Sequence, residues 1–310
     1  MVFVNNFSVK NDKIIQKRID IRTLMLYYEK KGKFIMKKSF ASLTAPVYAA
    51  VIREKTPTNA ICAIKNAEIN GATAFDLHLS CLEQEYRTVD NIRNIVECTS
   101  KPMLGLNYNI TVDKGGYACS EEDRIALLLM AVDAGISAVD FQGYTYDLLS
   151  KDNFVGEDIY SFTKNNPKEI VTDEKIIKKQ KALIDKVHKK GAEVLLSCHP
   201  NIFLNKTQVV DLAKFMEERN PDIIKIITVC NTEEEMVQAF ETMVALKNEI
   251  KSAKIHFHCT GKTGKLTRIV NPLLGAYMTF CVDRYAEGHT VEQLHLKTFV
   301  DVMDGIKKLL

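Results

Sequence analysis

Eight short apolar runs rich in β-branched residues, each followed by a stretch of helical period, most restrict the folds open to this chain of 310 residues. The runs are "APVYAAVI" (45–52), "TAFDLHL" (73–79), "PMLGLNY" (102–108), "SAVDFQ" (137–142), "AEVLLSC" (192–198), "DIIKIITV" (222–229), "AKIHFHC" (253–259) and "AYMTFCV" (276–282). Helices are predicted between them near 58–70, 84–99, 120–134, 173–190, 207–219, 232–250 and 264–273, with a last one over 291–309. Local signals agree: Ser120 ahead of "EEDR" is a capping box with Asp123 in place of the usual Glu, and Gly71, Gly135 and Gly191 sit just past three helix ends. Strands alternating with helices imply a parallel sheet, and eight such units in about 265 residues match the count and length of a closed (β/α)8 barrel. An open doubly wound sheet fits less well, since no G-x-G-x-x-G follows the first strand and no break in charge or composition divides the chain. The expectation is an α/β TIM barrel over residues 41–310, preceded by an N-terminal extension, 1–40.

Residues 1–40 are richer in Lys and Arg than the rest, and "IIQKRIDIRTLMLYY" fits a short amphipathic helix of the kind that lies on a membrane or a partner. The plainer reading is a peripheral extension, or an upstream start before Met36. With 46% hydrophobic and 26% charged residues the composition is ordinary for a globular protein, and a net charge of +3 without an aromatic-rich basic stripe argues against nucleic acid. The longest apolar run, "IALLLMAV", is far shorter than a bilayer span. Eight cysteines without a C-x-x-C pair, and no secretory signal, point to free thiols in a reducing cytoplasm. A small-molecule partner is expected, with no nucleic acid and no membrane; the sequence leaves a homodimer open.

Within "RNPDIIKIITVC" one lysine, Lys225, stands inside a run of isoleucines. A barrel strand is buried on both faces, so a lysine at its middle points most naturally into the lumen. Desolvation and neighbouring cations would there free the amine to attack a carbonyl and form a Schiff base. The plain alternative is a lysine paired with an acid on a neighbouring strand. His199 directly follows the fifth run and so lies beside Lys225, where iminium chemistry needs a base working near neutral pH. Asp76 and His78 share a face of the second strand by their period-2 spacing, and Arg268 lies in the helix after the seventh, placed to hold an anion.

The connection after the fourth strand, 143–172, is long enough to be a lid over the active-site end of a barrel. Two other motifs carry less. "TGKTGK" (260–265) lacks the four-residue gap of a phosphate loop. "HFH" (256–258) puts two imidazoles on one face, with His199 a conceivable third zinc ligand, but the first strand offers no matching pair.

The stretches "SCHPN", "DIIKIITV" and "CTGKTGKLTRIVNPLLGAYMTF" together resemble the type I 3-dehydroquinate dehydratase family: S-x-H on strand five, D-x-x-K-I-A-V on strand six, then a stretch with a Ser-Arg pair reaching strand eight. Order and spacing agree over residues 192–282, and weaker echoes in "GATAFDLHLS", "DKGG" and "AEGHTVEQL" extend the likeness to about 41–309. The resemblance implies a Schiff-base dehydratase of the shikimate pathway or its quinate-degrading counterpart, with no metal or organic cofactor. By the same resemblance Lys225 attacks the ketone, His199 serves as base and then acid, and Arg268 binds the substrate carboxylate. The chain departs from the family pattern elsewhere. Asp76 and His78 replace a Glu and an Arg, the strand-three Arg falls on Tyr108 or Asn107, the Glu before Gly-Gly falls on Lys114 beside Asp113, and Tyr285 and His289 take the lid's Ser and Gln positions. The sequence thus predicts a hydro-lyase acting on a carboxylated hydroxy-ketone through Lys225 and His199. Its binding shell is Arg268, Asp76, His78, Tyr108, Lys114 and His289. A class I aldolase on the same barrel and a ligand-binding barrel without turnover are the other readings.

Overall fold

In the computed structural model the described residues are 28–30, 33–35, 38–107, 119–146, 169–200, 202–285 and 292–310. The chain divides into two compact units, Met1–Lys38 and Ser39–Leu310. In the first, Tyr28–Lys30 pairs antiparallel with Lys33–Ile35. The amphipathic helix expected over 14–28 lies outside the described residues except for Tyr28, which is in a strand.

The second unit is a parallel barrel built in eight rounds. Its strands are β1 (Val47–Ile52), β2 (Ala74–His78), β3 (Met103–Leu106), β4 (Ala138–Gln142), β5 (Glu193–Cys198), β6 (Ile223–Val229), β7 (Lys254–Thr260) and β8 (Met278–Val282). The helices that follow them are α1 (Pro57–Ile69), α2 (Val89–Glu97), α3 (Glu121–Asp133), α4 (Glu174–Lys189), α5 (Lys206–Glu217), α6 (Glu233–Glu249), α7 (Thr267–Leu274) and α8 (Leu296–Lys307). The hydrogen-bonded ladder runs β8-β1-β2-β3-β4-β5-β6-β7, the circular order of a barrel and not that of a doubly wound sheet. A two-residue strand, Leu294–His295, adds to β8 on its other edge. At the β7–β8 seam the Tyr277 N–H donates to the Ile255 carbonyl at 2.6 Å.

All eight strands fall where the alternating pattern puts them, and helix boundaries differ where a cap intervenes. Residues 84–86 form a separate 3-10 turn because Thr88, whose hydroxyl accepts from the Asn91 N–H, starts α2. Likewise α8 begins only after the bridge to β8, with His295 as its cap. Ser120 caps α3 through the Asp123 N–H as expected. Gly71, Gly135 and Gly191 adopt φ of 95, 97 and 78°, the left-handed region where a side chain would be strained.

The two faces of each strand belong to two cores. Outward residues such as Phe75, Leu77, Leu196, Ile224 and Ile226 pack with the helices in one large apolar cluster. Inward residues Val47, Ala74, Leu104, Ala138, Leu195, Ile223 and Met278 form a smaller cluster that plugs the N-terminal end of the lumen. One pleat further along, the inward positions turn polar.

Candidate active site

The polar level follows from register. Ser197 pairs with Lys225 and Lys225 with His256, so neighbouring strands bring these three to one level above the apolar plug, while Asp140, which pairs with Leu106 and Leu195 one pleat lower, reaches up to Ser197 and Lys225 with its carboxylate. Lys225 is 6% exposed. Its Nζ lies 3.3 Å from Asp140 Oδ2 and 4.8 Å from the centre of the Phe280 ring. The lysine points into the lumen, and it is paired, with an acid two strands away and not on a neighbouring strand. Ser197 donates to the other Asp140 oxygen at 2.6 Å. Burial raises the Asp140 carboxyl above its ordinary value, an effect that Lys225 and Ser197 partly offset.

His199 leaves the end of β5 just above Ser197. Burial, then the charge of Lys225, holds its imidazole well below the usual 6.5, so it is neutral at neutral pH and able to accept a proton. Glu169 reaches this histidine from the end of the long β4–α4 connection. Its Oε2 accepts the His199 backbone N–H and lies 3.8 Å from His199 Nδ1. Glu169 is buried, its carboxyl is pushed well up by that burial, and its φ of 55° is strained for a residue with a side chain. Of the expected lid over 143–172, residues 147–168 lie outside the described residues.

On β2, Asp76 and His78 share the inward face and face each other, with Asp76 Oδ2 3.3 Å from His78 Nε2. Burial pulls His78 down, but the carboxylate outweighs it and lifts the imidazole to about 9. Arg268, in the first turn of α7, is buried against the β7 wall with His258. The two imidazoles of "HFH" bond to each other, His258 Nδ1 to His256 Nε2 at 2.9 Å, and His256 Nδ1 bonds to the Met278 carbonyl at 2.6 Å. That arrangement occupies three of their four nitrogens. Among the described residues no group of three His, Cys, Asp or Glu side chains is arranged to hold a metal ion. Tyr108, Lys114 and His289 lie outside the described residues, whereas Tyr285 is at the surface, donating to the Gln293 carbonyl at 2.8 Å.

Several buried polar atoms here have no partner among the described residues: Asp76 Oδ1, Glu169 Oε1, His258 Nε2 and Arg268 Nε. Buried polar groups are ordinarily satisfied, so such a group of orphans around one lumen suits a polar ligand. Sequence reading passed over Asp140, Ser197 and Glu169. Asp140 and Ser197 had a usable signal in their inward parity on β4 and β5; Glu169 had none.

The described helices are each too short or too polar to cross a membrane. The type I 3-dehydroquinase family model matches residues 48–309. A 3-dehydroquinate dehydratase of Desulfotalea psychrophila is 26% identical over 220 residues, 71% of this chain and 80% of its own. One of Coxiella burnetii is 30% identical over 97 residues, 30% of this chain, and the match spans only 40% of that protein. Among solved structures, the 3-dehydroquinate dehydratase of Geobacillus kaustophilus superposes with a TM-score of 0.67 at 12% identity, covering 91% of this chain and 96% of the other. The type I enzyme of Clostridium difficile superposes at 0.64 and 15% identity, covering 92% and 99%. With the family pattern running through all eight rounds of the barrel, the chain belongs to the type I 3-dehydroquinase family.

Proposed function

We propose that this protein is a Schiff-base-forming hydro-lyase that dehydrates 3-dehydroquinate to 3-dehydroshikimate, or acts likewise on a closely related carboxylated hydroxy-ketone, in the shikimate pathway of aromatic amino acid biosynthesis. The observation that carries this reading is Lys225, an amine buried in the lumen 3.3 Å from Asp140 and adjoining a neutral His199. Asp140, whose proton affinity burial has raised, is placed to take the proton the amine must lose. The free amine adds to the ketone carbon, and loss of water gives an iminium. His199 removes a proton from the carbon beside it, and the electron pair moves into the iminium to form an enamine. Collapse of the enamine expels the β-hydroxyl, which leaves as water after taking the proton back from His199. Hydrolysis of the conjugated imine frees Lys225 and the product.

Arg268 holds the carboxylate, and Asp76 and His78 meet hydroxyls; Tyr108, Lys114 and His289 complete the binding shell. The relatives' printed names supply the substrate class, and the C. difficile structure carries a covalently modified comenic acid. Residues 41–310 carry the activity and 1–40 are an extension, in a cytoplasmic enzyme whose partner is a small molecule and neither nucleic acid nor membrane.

Borohydride reduction in the presence of 3-dehydroquinate tests this directly: a ligand-sized mass should appear on the peptide containing Lys225. Labelling of another lysine, or an adduct persisting in Lys225→Met, would refute the assignment. Because the polyol-binding shell has changed, turnover of 3-dehydroquinate is expected to be detectable but poor. A kcat/KM of about 10⁵ M⁻¹s⁻¹ or more, well inside the usual enzymatic range, would show that the altered shell still suits this substrate.

A further inference from the structure

His256 and His258 are two lumen imidazoles without a task in the chemistry above. Their hydrogen bonds nevertheless fix which nitrogen carries each proton. A carbonyl oxygen only accepts, so the bond between His256 Nδ1 and the Met278 carbonyl, 2.6 Å long, places the His256 proton on Nδ1. His256 Nε2 is then a lone pair, and the 2.9 Å contact with His258 Nδ1 requires the His258 proton to be on Nδ1. The sequence of obligations ends at His258 Nε2, which must also be a lone pair. It is buried and, among the described residues, has no donor.

The chain starts at Met278 for a structural reason. This carbonyl lies on β8 at the seam, where the β7–β8 edge is not part of the regular ladder, and the His256 ring supplies a bond there. His258 inherits its tautomer from that seam.

His258 and Arg268 line one interstice at the β7–β8 seam, together with Phe257, Thr267, Pro272 and Met278. The Arg268 Nε–H likewise has no partner among the described residues. Burial, then the charge of Arg268, keeps the His258 ring well below its ordinary 6.5, so it stays neutral and able to accept. The seam side of the lumen thus offers an obligate acceptor beside a cationic donor. A hydroxyl next to a carboxylate offers the converse pair. An ether or ketone oxygen in the hydroxyl's place would meet the imidazole lone pair head on.

We propose that His258 Nε2 is a specificity-determining acceptor for the hydroxyl on the carboxylate-bearing carbon of the ligand whose carboxylate Arg268 holds. This rests on the proposed function for the carboxylate and goes beyond it in assigning that hydroxyl to a named atom.

The test compares quinate with its analogue carrying hydrogen in place of that one hydroxyl, by calorimetry on the full chain. Neither compound has a ketone, so neither requires Lys225 to react. The wild type should bind quinate about fivefold more tightly, equivalent to the ~1 kcal/mol net value of a neutral hydrogen bond. In His258→Phe the preference should shrink to within twofold. A wild type without preference, a variant that keeps it, or failure of both compounds to bind the wild type at millimolar concentration would overturn the proposal. A second measurement needs no variant. The ¹⁵N resonance of His258 Nε2 in the wild type should be of unprotonated, pyridine type at neutral pH, and a protonated Nε2 would break the tautomer chain and the proposal with it. Borohydride trapping of the wild type with 3-dehydroquinate separates the two readings. No adduct together with an intact hydroxyl preference would remove the Schiff base and leave His258 standing; an adduct without the preference would do the reverse.

Discussion

Two levels of one lumen, a single pleat apart on the same strand faces, do opposite things. On β2, β4, β5 and β6 the lower level is Ala74, Ala138, Leu195 and Ile223, packed in an apolar plug. The next inward position on each strand, about 7 Å further along, is Asp76, Asp140, Ser197 and Lys225. Backbone, register and burial are nearly the same at the two levels. What differs is whether the side chain can satisfy itself by dispersion alone or must find a partner, and this makes one level an apolar support and lines the other with polar groups. The plug also excludes water from beneath the charges, which is why burial is the leading influence on Asp140 and His199.

If the comparison is right, changes at the upper level should remove activity with a modest effect on folding. Lys225→Met is expected to lower turnover by at least about 10⁴-fold, the scale on which a covalent nucleophile is missed. The orphaned Asp140 can take a proton, so the fold should survive. Absorbance of the conjugated enone product measures the first effect and thermal unfolding the second. Residual turnover within 100-fold of wild type would place the chemistry elsewhere.

The converse holds one pleat down. Leu195→Ala removes a fully buried side chain from the plug and should destabilise the protein by about 2–5 kcal/mol, read from urea unfolding, while turnover per folded molecule stays within a few-fold. A loss of turnover as large as that of Lys225→Met would show that the two levels are not separable.

Acid sharpens the contrast. His199, His256 and His258 are each depressed below 6.5 by burial, with His256 at about 3. An unfolded chain takes up these protons near its ordinary 6.5 before the native state does. Their contribution is therefore complete above that pH and is lost as pH falls below it, by up to about 1.4 kcal/mol per pH unit for each group. His78, raised to about 9, has the opposite sign: it stabilises at low pH, and its contribution is lost as pH rises through 9. The raised carboxyls Asp140 and Glu169 also oppose the trend, so the difference between wild type and His258→Phe isolates one histidine. Between pH 6 and 5 the variant should lose stability less steeply by about 1 kcal/mol per unit. Equal slopes would mean that the His258 ring is not held neutral. The smallest expected effect lies outside the barrel unit: removing residues 1–38 should change turnover by less than about twofold if the lumen alone sets it, and a larger loss would give the extension a part in catalysis.

Much of this molecule was legible in one dimension because strands and helices differ in period. The eight runs each became a strand, and Lys225 was conspicuous because an amine in an isoleucine run must be paired or chemical. Residues whose meaning lies in a partner were not legible. Asp140 is separated by 85 positions from the lysine it pairs with, and only the β4-β5-β6 order brings them together. Glu169 sits in a connection without periodicity and meets His199 through a strained turn of backbone. "HFH" suggested a metal site because spacing shows that two rings share a face but cannot show that they bond to each other.

By itself, then, the sequence determined the repeating unit and the shared faces of Asp76 with His78 and of His256 with His258, and it singled out the amine and the imidazole beside it, because these depend on local period and on the cost of burying a charge. The tertiary structure decided which acid pairs with the lysine, which carboxyl stands against the imidazole, and which nitrogens of the two seam histidines bond to each other. Those outcomes depend on register between strands and on which carbonyl is left over where the barrel closes, and neither is written in any single segment of the chain.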